Sequence, residues 1–331
     1  MARGRRGAVR STARPGHPRV VEGIAGQRIA VTGAGGFIGA AVCRIAAGLG
    51  AEIVAIGPGT VPRHGTTAVP IRIETEEALA PHLARVSTLI HAAGRGTPAG
   101  IVALHDPLAL HELRLTAIVL EAACRAGVGR VVLVSSGGTV YGDPAGTAPV
   151  SEDHALRPRS RYGAVKLLAE EMAWTMDRMG YVRCVVARLS NPYGPGQVNH
   201  RGQGLVATVA ACVKSGAPIE VWGDGSAVRD YLYIDDAARG LLAAASLPGG
   251  TAANVSSGTG MKTAAVVADI LARLDVTHPV HYRPDRPAGI AFNVLCNRRL
   301  QAATGWAPQI SWQDGLALTA QWWARAEKMN F

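Results

Sequence analysis

The chain has 331 residues, 48% hydrophobic and 18% charged, a balance that excludes a disordered protein, and no apolar run approaches the about 18 residues that a membrane span needs. Five scattered cysteines, Cys43, Cys124, Cys184, Cys212 and Cys296, show no CxxC or Cys/His spacing, so no zinc or other metal site is expected, and reduced thiols in the cytoplasm are. The formal net charge of +10 suits an anionic small-molecule substrate.

Residues 1–26 hold Arg3, Arg5, Arg6, Arg10, Arg14 and Arg19 against the single acid Glu22, without hydrophobic periodicity. They read as a disordered, solvated basic tail, and no nucleic-acid partner is expected of it. No apolar region follows Arg5-Arg6, so the pair is not read as an export signal. From residue 27 to 190, short β-branched runs alternate with helical spacing. Strands are predicted at 28–32, 52–56, 68–73, 88–91, 130–135 and 183–189, with helices after Phe37 and near 108–126 and 160–179. This alternation predicts an α/β, Rossmann-type doubly wound parallel sheet. After Asn191 the pattern loosens, with helices predicted near 203–215, 236–247, 261–274 and 313–327. Residues 191–331 are expected to form mainly a smaller C-terminal α/β substrate-binding lobe, interleaved with the end of the sheet.

Val31-Thr32-Gly33-Ala34-Gly35-Gly36-Phe37-Ile38-Gly39 follows the first strand and opens the first helix. A dinucleotide site asks for these glycines: Gly33 for a tight turn, Gly36 for close approach of backbone to a pyrophosphate, Gly39 for helix–strand packing. The helix start adds free N–H groups and a positive dipole, and Gly35, Phe37 and Ile38 complete the predicted cradle. An NAD site also asks for an acid at the end of the second strand, on the ribose 2′-OH. Gly57 stands there instead, Glu52 sits at the strand's start, and Arg63 and His64 follow. The cofactor is read as NAD, with NADP the alternative that Gly57 and Arg63 favour.

Tyr162 and Lys166, in Ser160-Arg161-Tyr162-Gly163-Ala164-Val165-Lys166, stand at i and i+4 on one face of a predicted helix. A phenol titrates at about pH 10, and an ammonium beside it favours the phenolate. Such a group takes a proton from a sugar hydroxyl as hydride leaves the same carbon. His91 reads as a packed strand-end histidine rather than a general base.

In this order the motifs resemble the extended short-chain dehydrogenase/reductase family, in its nucleotide-sugar epimerase/dehydratase branch (UDP-glucose 4-epimerase-like), over residues 27–325. Leu89-Ile90-His91-Ala92-Ala93 looks like the family's segment beside the cofactor, and Asp106-Pro107 like its next helix opening. Ser135-Ser136-Gly137-Gly138-Thr139-Val140-Tyr141-Gly142 looks like its active-site segment, and Arg188 to Gly196 like the stretch meeting nicotinamide and substrate phosphate. Trp222-Gly223-Asp224-Gly225, Arg229-Asp230-Tyr231, Arg286-Pro287 and Gly305-Trp306 follow in the family's order. The resemblance implies a nucleotide-diphosphate sugar as substrate. It puts Ala92, Ala93 and Pro192 beside the cofactor, with Lys166 on the nicotinamide ribose. It puts Arg229 and Arg286 on a diphosphate, Trp222 on the nucleobase and Asn191 near the phosphate or sugar. It also implies a homodimer through the helices near 108–126 and 160–179.

Four residues before the tyrosine of Val140-Tyr141-Gly142, where the family carries Ser or Thr, this chain has Gly137. Ser136 or Thr139 is the expected substitute hydroxyl. Gly138 and Thr139 stand where water-removing branches carry acids, which argues against a 4,6-dehydratase. Ile73-Glu74 replaces an acid–hydrophobe pair at the adenine, and Arg114 stands where the family has an asparagine supporting the tyrosine's helix. The expectation is a nucleotide-sugar 4-epimerase using transient hydride transfer to a bound nicotinamide cofactor. The alternatives are an NADPH-dependent ketoreductase of a keto-sugar or natural-product intermediate, and a non-catalytic dinucleotide-binding protein.

Overall fold

The computed structural model describes residues 23–60, 65–97, 100–199, 204–286 and 289–328. Most of the basic tail, and Arg63 and His64, lie outside these residues. The first half of the chain runs β1 (Arg28–Thr32), α1 (Phe37–Gly48), β2 (Glu52–Ile56), β3 (Thr66–Val69), α2 (Glu76–Leu79), β4 (Thr88–His91), α3 (Pro107–Arg125), β5 (Arg130–Ser136), α4 (Gly137–Val140), α5 (Arg161–Arg178) and β6 (Arg183–Leu189). The second half runs β7 (Asn191–Tyr193), α6 (Leu205–Ser215), β8 (Ile219–Trp222), β9 (Val228–Tyr233), α7 (Ile234–Ala244), β10 (Thr251–Val255), β11 (Gly260–Lys262), α8 (Thr263–Leu274), β12 (Val280–Arg283), β13 (Phe292–Asn293), α9 (Arg298–Thr304) and α10 (Trp312–Lys328).

Seven strands form one parallel sheet in the order β10-β6-β5-β4-β1-β2-β3. Alternate residues of these strands face opposite helical layers. Val31, Ile53, Ile90, Val132 and Val185 face α1 and α7, whereas Ala30, Val54, Leu89, Val131 and Val186 face α3 and α5. Both faces are covered, which is why the strands are apolar throughout rather than alternating. Each buried Val, Leu or Ile contributes about 1.5–3 kcal/mol.

Two differences from the predicted elements have local causes. The third strand is Thr66–Val69, earlier than 68–73, because Pro70 has no N–H to carry the ladder onward. The helix predicted from residue 108 starts at Pro107, whose φ is preset, behind the Asp106 carboxylate, which accepts from Leu108 N and Ala109 N at 2.7 and 3.1 Å. Beyond the main sheet, β7, β9, β11 and β13 make a four-stranded sheet, and β8 pairs with β12. Among the described residues, no helix is long and apolar enough to cross a membrane.

Candidate active site

The C-terminal ends of β1, β4, β5 and β6 open toward one edge of the sheet, the place where doubly wound folds bind ligands. Gly33 follows β1 with φ +72°, and a Cβ on it would lie 2.7 Å from the N and Cα of Ala93. A Cβ on Gly39 would lie 2.2 Å from the Gly33 carbonyl oxygen, so helix and strand touch there only because both residues are glycine. Gly36 caps α1 without a side chain, so the first N–H groups of the helix have no side-chain acceptor. Gly33, Gly35, Gly36, Ala92 and Ala93 line a cavity of about 720 Å³ that continues past Gly57, Pro58, Arg72, Glu74 and Arg95. That is the size of a small-molecule site, and its glycine wall fits a dinucleotide pyrophosphate. Phe37 and Ile38 open α1, and their partly buried side chains pack against the core below the loop.

Tyr162 and Lys166 stand in the first turns of α5, which the Ser160 hydroxyl caps by accepting from Gly163 N at 3.0 Å. The Lys166 ammonium lies 5.8 Å from the centre of the Tyr162 ring and 3.9 Å from Glu112 Oε2. Burial pulls Lys166 down, but Tyr162, Glu112 and Glu170 outweigh it and hold its pKa above the ordinary lysine value. Glu112 is itself buried, and its other oxygen accepts from the backbone of Arg95 and, at 2.9 Å, of Gly96. Two turns below Tyr162 on the same helix, Glu170 pairs with Arg188 of β6 at 2.7 Å and accepts from Ser135 Oγ at 2.5 Å. Arg188 also donates to Tyr141 Oη at 3.1 Å.

Arg114, which stands where the family has the supporting asparagine, is exposed and donates to the Glu74 carbonyl at 3.2 Å, and Glu112, on the inner side of α3, faces Lys166 instead. The two are i and i+2, which a helix turns well apart.

At the missing hydroxyl, a Cβ on Gly137 would lie 2.3 Å from Leu295 Cδ1 and 3.2 Å from the Arg188 carbonyl oxygen. Leu295 fills the space that a serine would need. Ser136 Oγ and Asn191 Oδ1 are both 3.9 Å from the point where a Gly138 Cβ would stand, so the two border one space. Thr139 Oγ1 is 3.4 Å from the Ser136 carbonyl oxygen, and the Thr139 carbonyl abuts Gly163, next to Tyr162. His91 is buried, with Thr32 Oγ1 at 2.8 Å from Nδ1 and Thr116 Oγ1 at 3.5 Å from Nε2. Burial, helped by Lys166, pushes its pKa down to about 3, which suits a packed neutral ring and not a base.

In the second lobe, Asn191 Nδ2 donates to the Asp230 carbonyl at 2.9 Å, and Pro192 follows it on β7. Arg229 Nη1 donates to the Val228 carbonyl, and burial lowers the guanidinium's pKa. The neighbouring Asp230 carboxylate is occupied elsewhere, by Ser257, Gly258 and Leu295 N–H groups. Trp222 is 55% exposed, and Arg286 stands 5.8 Å from its ring centre, within reach of Glu220 Oε2 at 3.8 Å. Glu112, Glu170, Arg72 and Arg95 were not singled out from the sequence. Only Glu170 left a signal, as the i+4 residue from Lys166 on the same helix.

The chain as a whole is similar to known proteins. The profile of the NAD dependent epimerase/dehydratase family matches residues 29–256, more than half of the chain. The UDP-glucose 4-epimerase of Mycolicibacterium smegmatis is 34% identical over 208 residues, 62% of this chain and 66% of that protein, so the chain spans just under two thirds of this relative's length. The structure of the UDP-glucose 4-epimerase of Thermotoga maritima with UDP-glucose superposes with a TM-score of 0.84 at 26% identity, covering 91% of this chain and 100% of that one. The Thermus thermophilus UDP-glucose 4-epimerase complex with NAD superposes with a TM-score of 0.79 at 26% identity, over 91% and 100% of the two chains. The glycine loop and the Tyr162 helix both fall within the matched span, and the chain belongs to the NAD dependent epimerase/dehydratase family.

Proposed function

We propose that the protein is a nucleotide-sugar 4-epimerase working through transient hydride transfer to a bound nicotinamide cofactor. The observation that carries this reading is the placement of Glu112. Its carboxylate joins the wall of the dinucleotide cavity, at Arg95, to Lys166, so cavity and tyrosine helix serve one ligand. When bound, the nicotinamide supplies a hydride acceptor and donor at the sugar carbon. Tyr162 Oη takes the proton of the hydroxyl on that carbon, holds it while the keto sugar turns, and returns it to the oxygen on the other face. Lys166 is kept charged by its neighbours and stands 5.8 Å from the centre of the Tyr162 ring. Ser136 offers the hydroxyl that Gly137 lacks, and Asn191 borders the same space. Gly138 and Thr139 carry no carboxylate, which supports epimerisation over loss of water. Arg229 and Arg286 suit a diphosphate, and Trp222 a nucleobase face.

Gly57, at the position of the expected ribose acid, favours a second reading, an NADPH-dependent ketoreductase in which Tyr162 acts as acid. Proton NMR of UDP-glucose incubated with the purified protein and no added cofactor separates them. Interconversion with UDP-galactose supports the epimerase. No interconversion, with stoichiometric loss of NADPH against a keto-sugar, moves the protein to the ketoreductase. Dinucleotide binding with neither reaction leaves the non-catalytic reading. The homodimer belongs to this proposal: Leu110 on α3 and Leu168 on α5 are 55% and 48% exposed, and a sedimentation mass of one chain refutes it.

A further inference from the structure

The adenosine end of the cavity departs from what an unphosphorylated ribose asks for. Gly57 ends β2 with φ +145°, a backbone that a side chain adopts only under strain. The loop behind it is held in place: Thr60 donates to the Gly57 carbonyl from N and Oγ1, at 3.3 and 3.0 Å, and a Cβ on Gly35 would lie 2.9 Å from the Pro58 carbonyl oxygen. Gly57 supplies no carboxylate at the end of β2 to accept from a 2′-hydroxyl or to repel a phosphate.

Cations border the same space. Arg72, Arg95 and Arg114 line the cavity, and Glu74 is the one carboxylate among its described lining residues, so the described wall is net positive. The pyrophosphate does not need all three arginines, because the N–H groups at the start of α1 serve it. Sheet order separates them. Arg95 follows β4, on the far side of β1 from β2, whereas Arg72 follows β3, the edge strand beyond β2. Arg114 reaches that same edge from α3, donating to the Glu74 carbonyl at 3.2 Å. Arg72 and Arg114 therefore stand, with Glu74 in contact with Arg114, at the end of the cavity where β2 would have supplied its acid, two cations against one carboxylate. Guanidinium forks match a phosphate monoester in charge and geometry.

We propose that this end of the cleft is a 2′-phosphate site, with Arg72 and Arg114 selecting an NADP-type dinucleotide over an unphosphorylated one. The proposal rests on the dinucleotide reading of the cleft and not on the direction of the reaction. Titration calorimetry on the full chain, freed of copurified nucleotide, tests it with NADP⁺, NAD⁺, 2′,5′-ADP and 5′-AMP. NADP⁺ should bind about tenfold or more tightly than NAD⁺, and 2′,5′-ADP more tightly than 5′-AMP. Arg72→Ala and Arg114→Ala should each bring the NADP⁺/NAD⁺ ratio toward unity while NAD⁺ affinity stays within about twofold. Arg72→Ala decides the matter if Arg114→Ala loosens the Glu74 segment. NAD⁺ binding equal to or tighter than NADP⁺ overturns the proposal and leaves the dinucleotide site standing. Parallel weakening of both dinucleotides in the Arg72 variant overturns it in favour of a pyrophosphate contact. Failure of either dinucleotide to bind overturns the cofactor site itself.

Discussion

The side chains of Glu170 and Arg188, beneath α5, are 0% and 4% exposed and meet at 2.7 Å; Trp222 and Arg286, in the second lobe, stand 55% and 48% exposed. The buried pair has its remaining partners inside the protein: Ser135 and Tyr141, with the Glu152 carbonyl 3.4 Å from Arg188 Nη1. The exposed pair has about half of its surface in water. Charge held out of water is unscreened, so it fixes the floor on which Lys166 and Tyr162 sit before any ligand arrives. Charge held half in water is screened, and it acts strongly only when a ligand excludes the solvent. Substitutions on the two sides should therefore read out differently, in turnover and stability on one side and in KM on the other.

The largest effect is expected at the reacting end of the buried side. Tyr162→Phe should lower kcat by about 10²–10⁴-fold. Its ring packs with Ile101, Ala109 and Val165, a contact that Phe keeps, so the urea midpoint should not move. Retained turnover would remove Tyr162 from the chemistry. Next comes Glu170→Ala, which leaves Arg188 charged and buried and should cost about 3–5 kcal/mol in urea denaturation. Replacing both residues by Met should cost less than Glu170→Ala alone, because no unpaired charge remains. A double variant as damaged as the single one would mean that packing, not charge, governs this site.

His91 tests the same sequestration by pH. Its pKa is about 3 in the folded chain against an ordinary 6.5, so below 6.5 the unfolded chain binds a proton that the folded chain refuses. Stability falls as pH drops through that window and is unaffected above it. The loss from pH 6.5 to 5 should be about 1.6 kcal/mol, read as the difference in pH dependence between the native chain and His91→Gln. Equal slopes would mean that the ring is open to solvent.

What could be read in the chain follows from how far apart its interacting parts lie. β1, β4 and β6 were predicted to the residue because continuous apolar runs between turns carry their own signal. Tyr162 and Lys166 were legible because a helix brings i and i+4 together without help from the rest of the fold. Glu112 was not, since its meaning comes from Arg95, Gly96 and Lys166, which only folding assembles. β10, Thr-Ala-Ala-Asn-Val, has too few branched or aromatic residues to announce a strand and exists by pairing with β6. The gap at Gly137 was visible, but Leu295, which fills it, comes from near the other end of the chain.

The smallest effect is expected at the exposed aromatic, and it separates two roles for Trp222. A tryptophan that holds the lobe together lies inside it, and its removal costs about 3–5 kcal/mol. Trp222 instead shows more than half its surface, at the end of β8 beside β12, with Arg286 over its ring. Its packing contribution is therefore small, and an exposed cation–π contact adds only about 0.5–1 kcal/mol. Trp222→Ala should leave the urea midpoint and kcat in place and raise KM for a nucleotide sugar by about fivefold, the equivalent of about 1 kcal/mol of lost stacking. A sugar phosphate without the base should show no such rise. A fallen urea midpoint with an unchanged KM would assign Trp222 to the lobe's packing, and the charges around it would then lose their claim on a nucleotide.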